Sequence, residues 1–167
     1  TIMKFLAVFL LVMVLATFAG GAAQPAEAAP TSVTLVGDLQ SELGCTGGDW
    51  DPTCANTHLA EKGYGVWRGE FNVPAGSWQY KMALNDAWDE SYPVDNKTLD
   101  VPDLTPVRFY YDDKTHDVVD SVNDRVGVAA GTLQDELGCP GDWQPDCVNT
   151  LLTDVDGDGI YSFVTAD

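Results

Sequence analysis

The chain has 167 residues, with 26 Asp+Glu against 8 Lys+Arg and a formal charge of −18. That balance makes nucleic acid a poor partner, because phosphate binding needs a basic face, and it disfavours an anionic membrane surface in the same way. Acidity of this kind serves solubility, and a neutral partner such as a sugar polymer feels no penalty from it.

The chain opens Thr1-Ile2-Met3, which places the natural start at Met3 or marks a translated fragment. Lys4 is followed by an apolar run over residues 5–18, broken only by Thr17, and then by small residues. A basic residue, an apolar centre and a small-residue tail are the three parts of a secretory signal peptide, here residues 1–28, with cleavage expected after Ala28 in Ala26-Glu27-Ala28. The run is shorter than the roughly 20 residues of a membrane span; a retained anchor is the alternative. Export to an extracellular location, with no membrane association after cleavage, suits a chain with four cysteines.

Residues 31–121 are long enough for one small domain. Their segments are short and strand-like. SVTLVG is rich in Val and Thr, and VWRGEFNV alternates so that Trp67, Gly69, Phe71 and Val73 share a face. After Pro74-Ala75-Gly76, SWQYKMALN sets Trp78, Tyr80, Met82 and Leu84 on one face and Gln79, Lys81 and Ala83 on the other. The two segments are expected to form a hairpin with an apolar inner face. KTLDV reads as a further strand. VRFYYD puts Val107, Phe109 and Tyr111 inward and Arg108 and Tyr110 outward, and a turn at Asp113-Lys114 leads back through HDVVD. Beyond the expected signal-peptide helix, no long stretch of the mature chain has helical periodicity; LQSEL suits a short helical turn at most. About seven short strands with polar turns imply an all-β, antiparallel sandwich.

One stretch occurs twice: LQSELGCTGGDWDPTCANTHL at 39–59 and LQDELGCPGDWQPDCVNTLL at 133–152. The first cysteines of the two, Cys45 and Cys139, lie 94 positions apart, a spacing that suits repetition of a domain. Pairing Cys45 with Cys54 and Cys139 with Cys147 would close loops of roughly ten residues, each contributing about 3 kcal/mol in the chain-entropy model. Zinc is the competing reading. The eight and seven intervening residues do not match the close spacing of zinc ligands, and no His pair follows. The second copy, residues 125–167, stops soon after Gly159-Ile160-Tyr161, which aligns with Gly65-Val66-Trp67. A half-sandwich of this kind exposes sheet edges, so the chain reads as the N-terminal piece of a longer secreted protein.

DVDGDG at 154–159 matches the opening of a calcium loop through Asp154, Asp156 and Asp158, but Thr165 stands where the bidentate Glu is expected. Asp and Gly are also ordinary turn formers, which leaves calcium a weak candidate and no cofactor expected. No Gly-x-Ser-x-Gly, phosphate loop or His-Glu-x-x-His is present. The acids are many, but a count is not a site, and the barrel that glycosidases commonly use needs about 250 residues. The chain therefore reads as non-catalytic. His116 suits a turn-stabilising role better than a metal site.

VTLVGDLQSELGC…GDWDPTC, GVWRGEFNVPAGSWQYKMALNDAWDESY and FYYDDKTHDVVD resemble the immunoglobulin-like accessory modules of bacterial pullulanases and related amylases. The resemblance covers residues 31–121 and the shortened 125–167. It implies an immunoglobulin-like sandwich, tandem placement ahead of a downstream catalytic domain of the same polypeptide, and an α-glucan polysaccharide as partner. Many sandwich modules only space domains apart, so a spacer and a module binding another surface protein are the other expectations.

Sugars stack apolar C–H faces on exposed rings and need polar groups for their hydroxyls. LNDAWDESY is the expected binding loop, with Trp88 and Tyr92 as platform and Asn85 and Asp86 as hydroxyl partners, extended by Lys81 and Tyr110. The alternative for Trp88 is a cap on the core. Trp67 and Trp78 read as core residues. Trp50 and Trp143 read as packing on their disulfides, with a ligand platform as the alternative.

Overall fold

A computed structural model describes residues 28–165. The leader expected over residues 1–28 therefore lies outside the described residues, apart from Ala28. Seven strands build the first unit: β1 (Val33–Gly37), β2 (Ala60–Gly63), β3 (Val66–Val73), β4 (Gly76–Leu84), β5 (Ser91–Val101), β6 (Thr105–Asp112) and β7 (Asp117–Asp120). They form two antiparallel sheets, ordered β1-β4-β5 and β2-β3-β6-β7. This is the expected β-sandwich. The C-terminal segment adds a short ladder of β8 (Gly127–Val128) and β9 (Leu151–Leu152). Among the described residues no helix is long and apolar enough to cross a membrane.

Period-two alternation assigns the faces correctly. Trp67 and Val73 of β3, Tyr80, Met82 and Leu84 of β4, and Val107, Phe109 and Tyr111 of β6 are buried in one core. Val33, Leu35, Leu99, Val101 and Val118 join them, with Phe71 and Trp78 packed against its margin. Tyr80 and Phe109 meet edge to face across the sheets, with ring centroids 5.1 Å apart, an arrangement the aromatic quadrupole favours.

The expected hairpin of VWRGEFNV with SWQYKMALN does not form. β3 pairs along its whole length with β6, from Val66↔Asp112 to Val73↔Thr105, whereas β4 lies between β1 and β5 in the other sheet. The Pro74-Ala75 connection crosses between the sheets, where Trp78 Nε1 donates to the Pro74 carbonyl at 3.1 Å. Two strands with apolar inner faces satisfy the same alternation by facing each other across the core as by pairing side by side. β2 was not expected from its sequence. AEKG has exposed or half-buried residues throughout and is a strand only because it pairs with β3 at Ala60↔Arg68 and Glu61↔Trp67. β5 is also longer than KTLDV, beginning at Ser91.

A buried polar contact ties the sheets together at one end. The Tyr80 hydroxyl of β4 donates to Asp120 Oδ2 of β7 at 2.7 Å, both residues being fully buried. Asp120 also accepts from the Val122 and Asn123 backbone N–H groups and from Asn123 Nδ2. Burial, reinforced by the Asp120 carboxylate, raises the Tyr80 pKa far above the phenol range, so the hydroxyl remains a donor. Removing one partner from a buried carboxylate costs about 1–3 kcal/mol. Tyr80→Phe is expected to lower unfolding stability by that amount in urea titrations; an unchanged midpoint would contradict this role for the hydroxyl.

Candidate functional site

The expected binding loop begins with a tight turn between β4 and β5. Asn85 and Asp86 both have φ of 55°, and the Ala87 N–H returns to the Leu84 carbonyl at 3.1 Å. Left-handed backbone at two successive positions is tolerated best by Asn, Asp and Gly, which is why these residues sit here. Their side chains bind the entering chain. Asn85 Oδ1 accepts from the Thr31 N–H at 2.8 Å and the Thr31 hydroxyl at 3.0 Å. Asp86 Oδ1 accepts from the Ser32 hydroxyl at 2.6 Å and lies 3.1 Å from His58 Nε2, at ion-pair distance but without hydrogen-bond alignment.

Trp88 follows this turn and is 48% exposed. Tyr92 is placed differently. Its ring stacks on His116 with centroids 4.1 Å apart and lies near Tyr111, and its hydroxyl donates to Glu90 at 2.8 Å. His116 in turn shares a 2.8 Å hydrogen bond with the Tyr111 hydroxyl. Lys81 Nζ donates to the Val94 carbonyl at 3.0 Å, spanning the point where the β4–β5 register shifts. Of the residues proposed to contact sugar, Trp88 keeps a broad exposed ring, while Asn85, Asp86, Tyr92 and Lys81 all have partners within the fold.

Tyr110 corrects the expectation more sharply. It points away from the sandwich core, as its register requires, but it is only 5% exposed. The C-terminal segment lies over it: Val66, Tyr110 and Val119 on the outer face of β2-β3-β6-β7 form a second apolar cluster with Val148 and Leu151, flanked by Val126. Polar contacts frame the junction. The Tyr64 hydroxyl donates to the Glu136 carbonyl at 3.3 Å, and the Thr153 hydroxyl donates to Asp117 Oδ2 at 3.1 Å. Tyr110 is thus a junction residue, with too little exposed surface to serve as a stacking platform.

Both cysteine pairs are disulfides, Cys45–Cys54 and Cys139–Cys147. Each loop is organised by a fully buried glutamine whose role the sequence reading missed. Gln40 donates to the Asp51 carbonyl and the Thr57 hydroxyl and accepts from the Asp51 N–H. Gln134 does the same with the Gln144 carbonyl, the Thr150 hydroxyl and the Gln144 N–H. The signal lay in the repeated Leu-Gln-x-Glu-Leu-Gly-Cys. Trp50 and Trp143 share a left-handed backbone, φ 58° and 57°, but Trp50 is half-buried whereas Trp143 is 66% exposed.

Asp154, Asp156 and Asp158 bring carboxylate oxygens within 4.8 Å of one another. They also close their own loop, accepting from the backbone N–H groups of Gly159, Asp158 and Ile160, which is what Asp does in turns generally.

Fold and disulfide loops together define a disulfide-clipped β-sandwich module. The chain belongs to the pullulanase X25 domain family, whose profile matches residues 32–118 and 126–167. It is 33% identical over 150 residues to an amylopullulanase of Thermoanaerobacterium thermosulfurigenes, covering 83% of this chain and 8% of that protein. An amylopullulanase of Thermoanaerobacterium saccharolyticum matches at 33% identity, covering 83% of this chain and 11% of that protein. Among solved structures, the pullulanase from Bacillus acidopullulyticus superposes with a TM-score of 0.54 at 40% identity, over 57% of this chain and 12% of that one. The chain thus spans about a tenth of the length of these relatives.

If Tyr110 serves the junction, Tyr110→Ala should behave as a large-to-small core substitution and destabilise by about 3–5 kcal/mol in chemical denaturation. An unchanged unfolding midpoint would show that the C-terminal segment does not rest on this ring.

Proposed function

We propose that this chain is a non-catalytic α-glucan-binding part of a secreted pullulanase- or amylase-type enzyme. In this reading residues 31–121 form one module and residues 125–167 open a second copy, with the catalytic domain elsewhere on the same polypeptide. The observation that carries it is Trp88: a large aromatic ring held half in solvent at a sheet end, next to exposed Asp89 and beyond a turn fixed by its own hydrogen bonds. A platform of this kind costs little to order on binding, because the turn is already set. Its neighbours in family space are named pullulanases and amylopullulanases, which supplies the polysaccharide context. The disulfides and the leader support an extracellular location. Tethering of this kind raises the local concentration of an attached enzyme on its polymer.

A spacer is the second reading. It is favoured by the engagement of Asn85, Asp86 and Tyr92 within the fold. Affinity electrophoresis in amylopectin or pullulan gels separates the two. Retardation of the chain that Trp88→Ala clearly weakens, with the denaturation midpoint unchanged, is the expected result. Migration unaffected by any α-glucan would establish the spacer.

A further inference from the structure

Where the C-terminal segment rests on the first sandwich it leaves a crevice of about 550 Å³, walled by Lys62, Arg68 and Arg108 on one side and Gln144, Asp146 and Asn149 on the other. That volume lies within the roughly 300–1,000 Å³ of small-ligand sites. Its walls come from both halves of the chain, so it exists only in the docked arrangement.

The lining is polar, with three basic side chains against the single carboxylate of Asp146. Three of the chain's eight basic residues converge here. Asp146 faces them, and Glu70 holds Arg108 through a 2.7 Å contact with Nε. Lys62 and Arg68 make no ion pair with any described residue. Asn149 is 4% exposed; its Nδ2 donates to the Leu137 carbonyl, while its Oδ1 has no hydrogen-bond partner. Unspent donors beside amide and carboxylate acceptors suit a ligand whose groups each donate and accept. The formal charge of −18 over the whole chain disfavours the approach of a strongly anionic ligand. Gln144 is also preceded by the exposed Trp143, an apolar surface adjoining this wall in the chain.

We propose that this crevice is a second carbohydrate site, shared between the two halves of the chain, which binds a neutral oligosaccharide through its hydroxyl groups. It deepens the glucan-binding reading and rests on it. Arg68 donates to sugar hydroxyls from the sheet, and Gln144 and Asp146 bind from the disulfide loop. Tyr110 and its apolar neighbours hold the two walls together without touching sugar.

The test is affinity electrophoresis of the whole chain in amylopectin gels, comparing wild type, Arg68→Met and Lys62→Met/Arg68→Met, with Trp88→Ala run alongside. Methionine keeps the apolar stem of each side chain, and the denaturation midpoint of each variant reports folding. Affinity is expected to fall roughly three- to tenfold in the Arg68 variants, as for loss of one or two hydrogen bonds, and to vary little between low and high salt. Wild-type retardation that the Arg68 variants leave intact would overturn the crevice alone and leave the Trp88 site standing. Absence of wild-type retardation would overturn both. Binding that collapses on adding salt would mark the crevice as a charge-driven anion site and overturn the neutral ligand.

Discussion

The architecture depends on an apolar contact that lies outside the sandwich core. Val66, Tyr110 and Val119 form a stripe on the outer face of one sheet, and Val148 and Leu151 of the C-terminal segment cover it. Burying a side chain of this size stabilises by roughly 1.5–3 kcal/mol, so the stripe is sufficient to hold the segment in place when hydrogen bonds frame it. The contact has a functional consequence. It removes one aromatic from the surface and creates a crevice that neither half has alone, while Trp88, Trp143 and Tyr161 remain exposed among the described residues.

Buried polar groups do the complementary work of fixing loops. Short disulfide loops restrict the unfolded chain but leave the folded loop's conformation open. Gln40 and Gln134 close that freedom, each engaging the backbone of the far side of its loop in both directions. The result is two loops with nearly the same hydrogen bonds and the same left-handed tryptophan. Asp120 acts similarly at the end of the sandwich, where its four hydrogen bonds join β4, β7 and the chain that leaves toward the C-terminal segment.

Much of the sandwich could be read from the residues, and the failures share a cause. Alternation placed Trp67, Tyr80, Met82, Phe109 and Tyr111 inward correctly, because side-chain direction is a local property of a strand. Alternation carries no information about which strand lies alongside, so β3 and β4 were assigned to one hairpin although they face each other across the core. Tyr110 failed in a related way: its outward direction was legible, but the cover over that face comes from residues some forty positions later. At Asn85 and Asp86 a cluster of polar side chains around a tryptophan suggests a ligand, and the structure adds a second reason for them: a left-handed turn, with Oδ1 of each bound to the entering chain. The cysteine pairing was legible because short loops leave few alternatives. The two glutamines were not, since their burial depends on the loop they organise.

In the proposed function this module engages an α-glucan through solvent-facing aromatics of a rigid scaffold and does no chemistry on it. Five tryptophans report on that claim in one experiment. Titration of the ¹⁵N-labelled chain with maltoheptaose, followed through the indole N–H resonances, should shift Trp88 and Trp143 while Trp67 and Trp78, held in or against the core, stay in place, and the sugar should remain intact. Five unmoved indoles at saturating sugar, or shifts confined to the core tryptophans, would contradict the account.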